Sequence, residues 1–174
     1  MKKVRLCSLL FLIIGTSGLY AQGFKKGDYI VDNNIDKFLG TWQWTDGQDT
    51  FKVILEKKKY YHEQLDIHTD LAIGWHEYAE NGEVIESSIK KNASFEEATL
   101  VGSSEGERKL SLSLSDLNSK RSRKAILELL PGKSDEAILE LSIKEGVYVI
   151  TDATRAKEGP KIPVPVEWTM KKIE

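Results

Sequence analysis

Apolar side chains return at every second position over most of this chain, in short runs separated by turn residues. Leu110, Leu112 and Leu114 alternate with serines. Ala125, Leu127 and Leu129 follow, then Ala137, Leu139, Leu141 and Ile143, and finally Val166, Trp168 and Met170 against Glu167, Thr169 and Lys171. A period of two is that of a strand with one buried face, whereas an amphipathic helix needs a period near 3.6. No amphipathic stretch longer than a single turn interrupts the pattern. The reading is an all-β chain of about ten strands, an antiparallel meander closed into a barrel, with a β-sandwich as the alternative. A membrane-spanning barrel would need a tall apolar outer band with aromatic girdles. Here the outward positions carry Lys, Glu and Ser.

Turn residues set the expected registers. Asp46-Gly47 reads as a two-residue hairpin loop, which places Thr45 opposite Gln48 and Trp42 opposite Phe51. Trp42, Phe51, Val53 and Leu55 then share one face. A further run, Leu71, Ile73 and Trp75, ends at Glu80-Asn81-Gly82. A two-residue turn there would set Glu77 against Glu86 and Glu80 against Glu83, and like charges directly opposite are unfavourable. A three-residue loop avoids both clashes. It pairs Ile73 with Ile89 and Tyr78 with Val84, and sets His76 opposite Glu86 on the face away from Trp75. Ser94 to Val101 reads as a short strand, residues 102–106 as a loop, and Lys144-Glu145-Gly146 as a second bulged loop joining Ile143 to Val147 and Leu141 to Val149. Gly159, Pro160, Pro163 and Pro165 mark a connection or an edge.

The chain start has another character. Lys2, Lys3 and Arg5 precede the apolar run Leu6 to Ile14, and Ala21 supplies a small residue for cleavage. Residues 1–21 read as a signal peptide, residues 22–34 as a flexible polar arm, and residues 35–174 as one domain. The product would be exported, periplasmic or extracellular, with no transmembrane segment in the mature chain. Cys7 is the one cysteine and falls inside the leader, so the mature chain would have neither disulfides nor thiolate chemistry. Removing Lys2, Lys3 and Arg5 from 25 basic residues leaves 22 against 27 acidic ones, a net charge of −5. That balance argues against a nucleic-acid partner.

The stretch Phe38-Leu39-Gly40-Thr41-Trp42 resembles the opening motif of the lipocalin and fatty-acid-binding superfamily, the calycins. The whole chain resembles uncharacterised exported bacterial lipocalin-like proteins. The resemblance implies a barrel entered through a short helical turn, with Gly40 and Trp42 as the structural plug of its closed end. It also implies an arginine on the last strand stacked on the tryptophan, where this chain has Lys171 and Lys172. The helical lid of the fatty-acid-binding branch has no counterpart, since the chain turns back directly after Trp44.

Among chemistry-bearing residues, His62, His68 and His76 invite a metal reading, yet their spacing fits no compact ligand motif such as H-E-x-x-H. No nucleophile elbow accompanies the serines. No catalytic residue, metal ligand or cofactor is assigned. Trp44, Trp75 and Trp168 are the candidates for lining a cavity that holds a small apolar or amphipathic ligand without catalysis. Two other readings stay open. One is an envelope or secreted interaction module whose barrel is filled by side chains. The other is a metal-dependent enzyme built on the histidines.

Overall fold

A computed structural model of the protein describes residues 24–90, 94–117, 122–143, 162–163 and 166–173. The leader at 1–21, the loop at 144–146 with its partner strand, and most of the Pro-rich connection lie outside the described residues. The strands, in chain order, are β1 (Tyr29–Ile30), β2 (Gly40–Asp46), β3 (Asp49–His62), β4 (Ile67–Glu80), β5 (Glu83–Ser87), β6 (Leu100–Glu105), β7 (Lys109–Ser115), β8 (Ser122–Leu129), β9 (Glu136–Ile143) and β10 (Val166–Lys172).

Eight of them close an antiparallel barrel in the order β4-β3-β2-β10-β9-β8-β7-β6, with β6 returning to β4. Every neighbour around this ring is adjacent in the chain once the β5 hairpin arm is set aside, apart from the closing pair β2 and β10. This is the up-and-down barrel that the alternation predicts, and it is compatible with a lipocalin-like fold. Closure removes the exposed sheet edges that an open meander would carry. One edge of the long β4 serves three partners in turn: β1 in parallel at His68 and Thr69, β6 at Ala72 to Gly74, and β5 at Glu77 to Glu80.

Opposite residues share a face, so the ladders say which side chains point inward. Val53 pairs with Trp42 and with His76, and Phe51 with Trp44 and with Tyr78. Continuing round, Trp168 pairs with Leu139, Leu139 with Leu127, and Leu127 with Leu110. These side chains, except His76, belong to one apolar cluster with Ile35, Phe38, Leu55, Leu100, Leu141 and Met170, against which the half-buried Trp44 packs. Outward positions such as Lys52, Glu77, Lys109 and Glu128 are charged and pair across strands.

Two registers differ from expectation. The first hairpin closes on Gly47-Gln48, with Asp46 opposite Asp49, so Trp42 faces Val53 and Trp44 faces Phe51. The shift is two residues, which preserves every face. The second hairpin has the two-residue loop Asn81-Gly82, both at positive φ (52° and 80°), as a tight twisted turn requires. Glu80 does sit opposite Glu83, and both are exposed to solvent that screens their repulsion. The other clash is avoided by a bulge: the register slips between Tyr78 and Ala79, so Glu77 meets Ser87 and Tyr78 meets Glu86. Ile89 and Val84 therefore do not pair with Ile73 and Tyr78. The expected Ser94–Val101 strand is instead a 3-10 turn at Phe95–Glu97 followed by β6, which runs through the expected loop to Glu105.

Residues 24–34, expected as an arm, carry β1 and are held from Lys25 onward. Gly27 N donates to Asp66 O at 2.6 Å and His68 N to Asp28 O at 2.7 Å. Tyr29 Oη donates to Asp70 Oδ1 at 2.5 Å, and the Asp32 amide donates to Asp70 Oδ2 at 3.0 Å. Asp32 in turn accepts from Ser104 Oγ at 2.6 Å.

Candidate functional site

The barrel has one end plugged from the chain's own entry. Ile35–Phe38 forms a 3-10 turn whose two apolar residues, Ile35 and Phe38, are fully buried. Gly40 then takes φ +109°, a backbone conformation that glycine reaches without steric cost, and the chain turns into β2. Trp42 is fully buried, and its Nε1 donates to Phe38 O at 2.7 Å, tying strand to plug. The Nζ of Lys172 lies 5.6 Å from the Trp42 ring centre and donates to Lys37 O at 3.5 Å. A lysine thus occupies the last-strand position where the calycin resemblance implies an arginine. Its charge serves the indole face and its hydrogens serve the plug.

Beside the plug, Asp70 gathers an ion cluster with Lys57 Nζ at 3.4 Å, and Lys57 also reaches Asp36 at 2.9 Å. Burial pushes the Asp70 carboxyl up, but hydrogen bonds from Tyr29 and the Asp32 amide, with the Lys57 ammonium, outweigh it and hold the group below its ordinary value. The same contact raises the Tyr29 phenol.

The opposite end, reached by β2, β4, β7 and β9, is where the candidate residues converge. Trp44 and Trp168 stack with ring centres 4.7 Å apart and planes 19° apart. Phe51 lies 4.8 Å from Trp168, and Tyr78 lies 6.4 Å away and nearly parallel. Burial raises the Tyr78 phenol, assisted by Glu80 and Asp49, so the ring stays neutral through the physiological range. Trp168 is buried while Trp44 is half-buried, so one side of the stack reaches toward solvent.

Trp75 does not join them. It sits opposite Ile54, on the outer face, because the inward side of β4 is the even-numbered one that carries Ala72, His76 and Tyr78. The odd-numbered apolar run of Ile73 and Trp75 is buried outside the barrel, and among the described residues the Trp75 Nε1 has no hydrogen-bond partner. Phe95, in the 3-10 turn before β6, lies on the outer side as well, 6.4 Å from Tyr60 on β3.

His76 points inward, against expectation, and stacks 6.0 Å from Phe51. Its Nε2 is 2.8 Å from Glu86 Oε1 and its Nδ1 is 2.8 Å from Thr99 Oγ1. Thr99 Oγ1 lies 2.9 Å from Ser88 Oγ, and Leu117 N donates to Glu86 Oε1 at 3.0 Å. Glu86 and His76 were paired by the sequence; Ser88, Thr99 and Leu117 were not, because the bulge that brings them in has no signature in composition. Nearby, Arg123 faces inward at the start of β8, opposite Leu114 and Ile143. Its Nη2 is 3.7 Å from Asp116 Oδ2, an ion pair too long for a hydrogen bond, and among the described residues its Nε and Nη2 have no hydrogen-bond partner although the residue is 5% exposed. An unfilled donor on a buried charge costs about 1–3 kcal/mol, so this feature is unusual in a packed protein. An open cleft of about 510 Å³ borders this end, lined in part by Ser88, Lys90, Thr99, Asp116 and Leu117.

The three histidines are dispersed. His62 lies beside Ile67 and Tyr61 beside His68 at the far end of the β3–β4 hairpin. His68 and His76 are eight residues apart on one strand, roughly 26 Å at strand rise, so they cannot share an ion. Among the described residues no group of three or more His, Cys, Asp or Glu is placed to hold a metal.

Residues 1–173 match the model of the Family of unknown function (DUF6705). The chain belongs to that family. No curated protein and no solved structure matches this family member. Its barrel, plug and aromatic end are thus read from its own geometry, and no helix among the described residues is long and apolar enough to cross a membrane.

Proposed function

We propose that this member of the family is a non-enzymatic, lipocalin-like binding protein that takes a small apolar or amphipathic molecule at the unplugged end of its barrel. The observation that carries the reading is the asymmetry of the two ends. One is sealed by Phe38, Trp42 and the Asp70 cluster. Among the described residues the other presents the Trp44–Trp168 stack with Trp44 half-buried, and a separate cleft by Ser88, Thr99 and Asp116, of about 510 Å³, falls within the usual ligand-site range of about 300–1,000 Å³. Leucines fill the middle of the barrel, so the ligand sits at the mouth and not deep in the interior. Stacked indoles offer apolar area at small entropic cost, and the polar rim orients the other end of the molecule.

Intrinsic fluorescence tests this directly. Titration with a panel of long-chain amphiphiles and aromatic pigments should give saturable quenching that Trp44→Leu weakens and Trp75→Phe leaves alone. A panel without any saturable change would remove the reading. The leucine-packed interior favours one alternative, a filled barrel that acts through its surface. Affinity capture that recovers a defined partner with unchanged yield from Trp44→Leu would favour it. Export follows from the residues of the leader, and the amino-terminal sequence of the protein recovered outside the cytoplasm tests it: cleavage after Ala21 is expected.

A further inference from the structure

We propose that the plugged end of the barrel docks on a lipid bilayer, with the tip of the β3–β4 hairpin seated among the headgroups; this stands apart from the ligand at the other end. The β2 ladder along β3 stops at Leu55, and the β6 ladder along β4 stops at Ala72. The hairpin runs on past the ring from Glu56 to its turn after His62, about 23 Å at strand rise. Gly27 N, bonded to Asp66 O, brings the start of the described chain against that turn. Eleven large hydrophobic residues are exposed among the described residues, and five of them, Phe24, Tyr29, Tyr60, Tyr61 and Leu65, gather here. Such residues scattered singly need no explanation, whereas a cluster marks a contact surface.

The arrangement of these side chains favours a bilayer over a protein partner. Tyr29 and Tyr61 are both level with His68 and so share one face of the hairpin. Tyr60 is on the other face, against His62, and Leu65 is in the turn between the strands. A protein surface covers one face; a bilayer entered end-on covers both faces and the tip. Tyrosine suits that depth, with an apolar ring and a polar hydroxyl. Lys58 and Lys59 stand about 10–13 Å behind His62, where long side chains reach phosphates while the rings enter. Lys25 and Lys26 are exposed beside them. Four carboxylates answer these four lysines. Asp28 accepts from Lys25 N, Asp66 accepts from Tyr61 Oη, and Glu56 and Glu63 are exposed. The charges are level, so apolar contact drives the docking, and Glu63 in the turn keeps it shallow. The sequence places lipid at this end too. The apolar run Leu6 to Ile14 is ten residues from Phe24, at most about 36 Å of chain, so a membrane that holds the uncleaved leader is within reach of the tip.

A fluorescent probe on the tip tests this. Leu65→Cys, in a chain with Cys7 replaced by serine, carries an environment-sensitive bimane; Val84→Cys, exposed on the β4–β5 hairpin at the opposite end, is the control. Full-length protein and the form cleaved after Ala21 are both titrated with phosphatidylcholine vesicles, with and without phosphatidylglycerol. Sedimentation is not the readout, since residues 6–14 alone would carry the full-length chain to lipid. The Leu65 probe should shift to the blue and be quenched by brominated acyl chains, and the Val84 probe should do neither. In the cleaved form, Phe24→Ser with Tyr60→Ser should raise the lipid concentration at half-response about tenfold or more. Phe24→Ser alone changes an exposed residue outside every strand; it should raise that concentration about threefold, and it decides the matter if the double variant does not fold. Similar half-responses on the two vesicle types are expected from the level charges. A Leu65 probe that stays in water on both vesicle types would overturn the proposal. So would a shift that appears without lipid as protein concentration rises, which would put a second copy of the chain on the tip. Binding that requires phosphatidylglycerol and ignores Phe24→Ser would overturn docking through the apolar side chains.

Discussion

Trp42 shows how much one side chain can be asked to do. It fills the closed end of the barrel, fastens β2 to the Ile35–Phe38 turn through Nε1, and offers its face to Lys172. Trp42→Ala removes the packing and the bond together and should cost about 3–5 kcal/mol in urea unfolding. Lys172→Met keeps the aliphatic stem but loses the cation, and a loss of about 0.5–1 kcal/mol is expected. Lys172→Arg should be neutral or slightly stabilising, because a guanidinium can serve both the ring and the Lys37 carbonyl. At the other end His76 is fully buried between Glu86, Thr99 and Phe51. Glu86→Ala leaves that ring and the Leu117 amide without their acceptor, and a destabilisation of about 3 kcal/mol should appear in the same assay. A milder loss in Glu86→Gln would show that the acceptor, more than the charge, is what the site needs.

At the scale of elements, β1 is the informative one. Two residues of parallel pairing could not hold a strand on their own; Asp70 supplies the rest. Its carboxyl is held below its ordinary value, so it favours the folded state wherever the unfolded group would already be ionised. That contribution is complete well above pH 4 and disappears as pH falls through the lower folded value. Acid titration should therefore release β1, read as amide exchange at Tyr29 and Ile30, below about pH 4. Asp70→Asn should release it at neutral pH as well and cost about 2 kcal/mol. Little of this was legible in the sequence: residues 24–34 are polar and short, and the partners lie 38 and 41 residues away. The strands themselves were legible, because period two is local and each run carries its own turn. Which face of β4 turned inward was not. Ile73-x-Trp75 and Ala72-x-Gly74-x-His76-x-Tyr78 are both alternating sets, and the larger apolar one went outside, where it is buried nonetheless. Trp44 and Trp168 were found by the same alternation, being on elements whose other face is plainly polar. Arg123 reads from the sequence as a solvated charge, because it begins a strand inside the basic stretch Lys120 to Lys124, yet it is 5% exposed.

For the whole molecule the question is what keeps the ring shut. Most neighbours are hairpins, joined by short turns and long ladders. Two seams differ. Between β4 and β6 the described register runs only from Ala72 to Gly74, and between β10 and β2 only Lys171 to Gln43 and Lys172 to Trp42. The second seam joins strands from the two ends of the chain, so it carries the largest loop-closure entropy in the fold. It should be the first to open, ahead of the β3–β4 ladder, in native-state hydrogen exchange. Locking it gives a sharper test. Gln43 and Lys171 are directly opposite and on the outward face, since their neighbours Trp42, Trp44 and Met170 point in. Cα atoms opposite one another in an antiparallel pair are about 4.5–5.5 Å apart, within disulfide range. In a chain with Cys7 replaced by serine, Gln43→Cys with Lys171→Cys should oxidise readily. The oxidised form should then be more stable than the reduced form by up to about 4–5 kcal/mol, the entropy of so large a loop. A seam that is already the most rigid part of the barrel would instead give little difference between the two forms, and the order of opening argued here would have to be reversed.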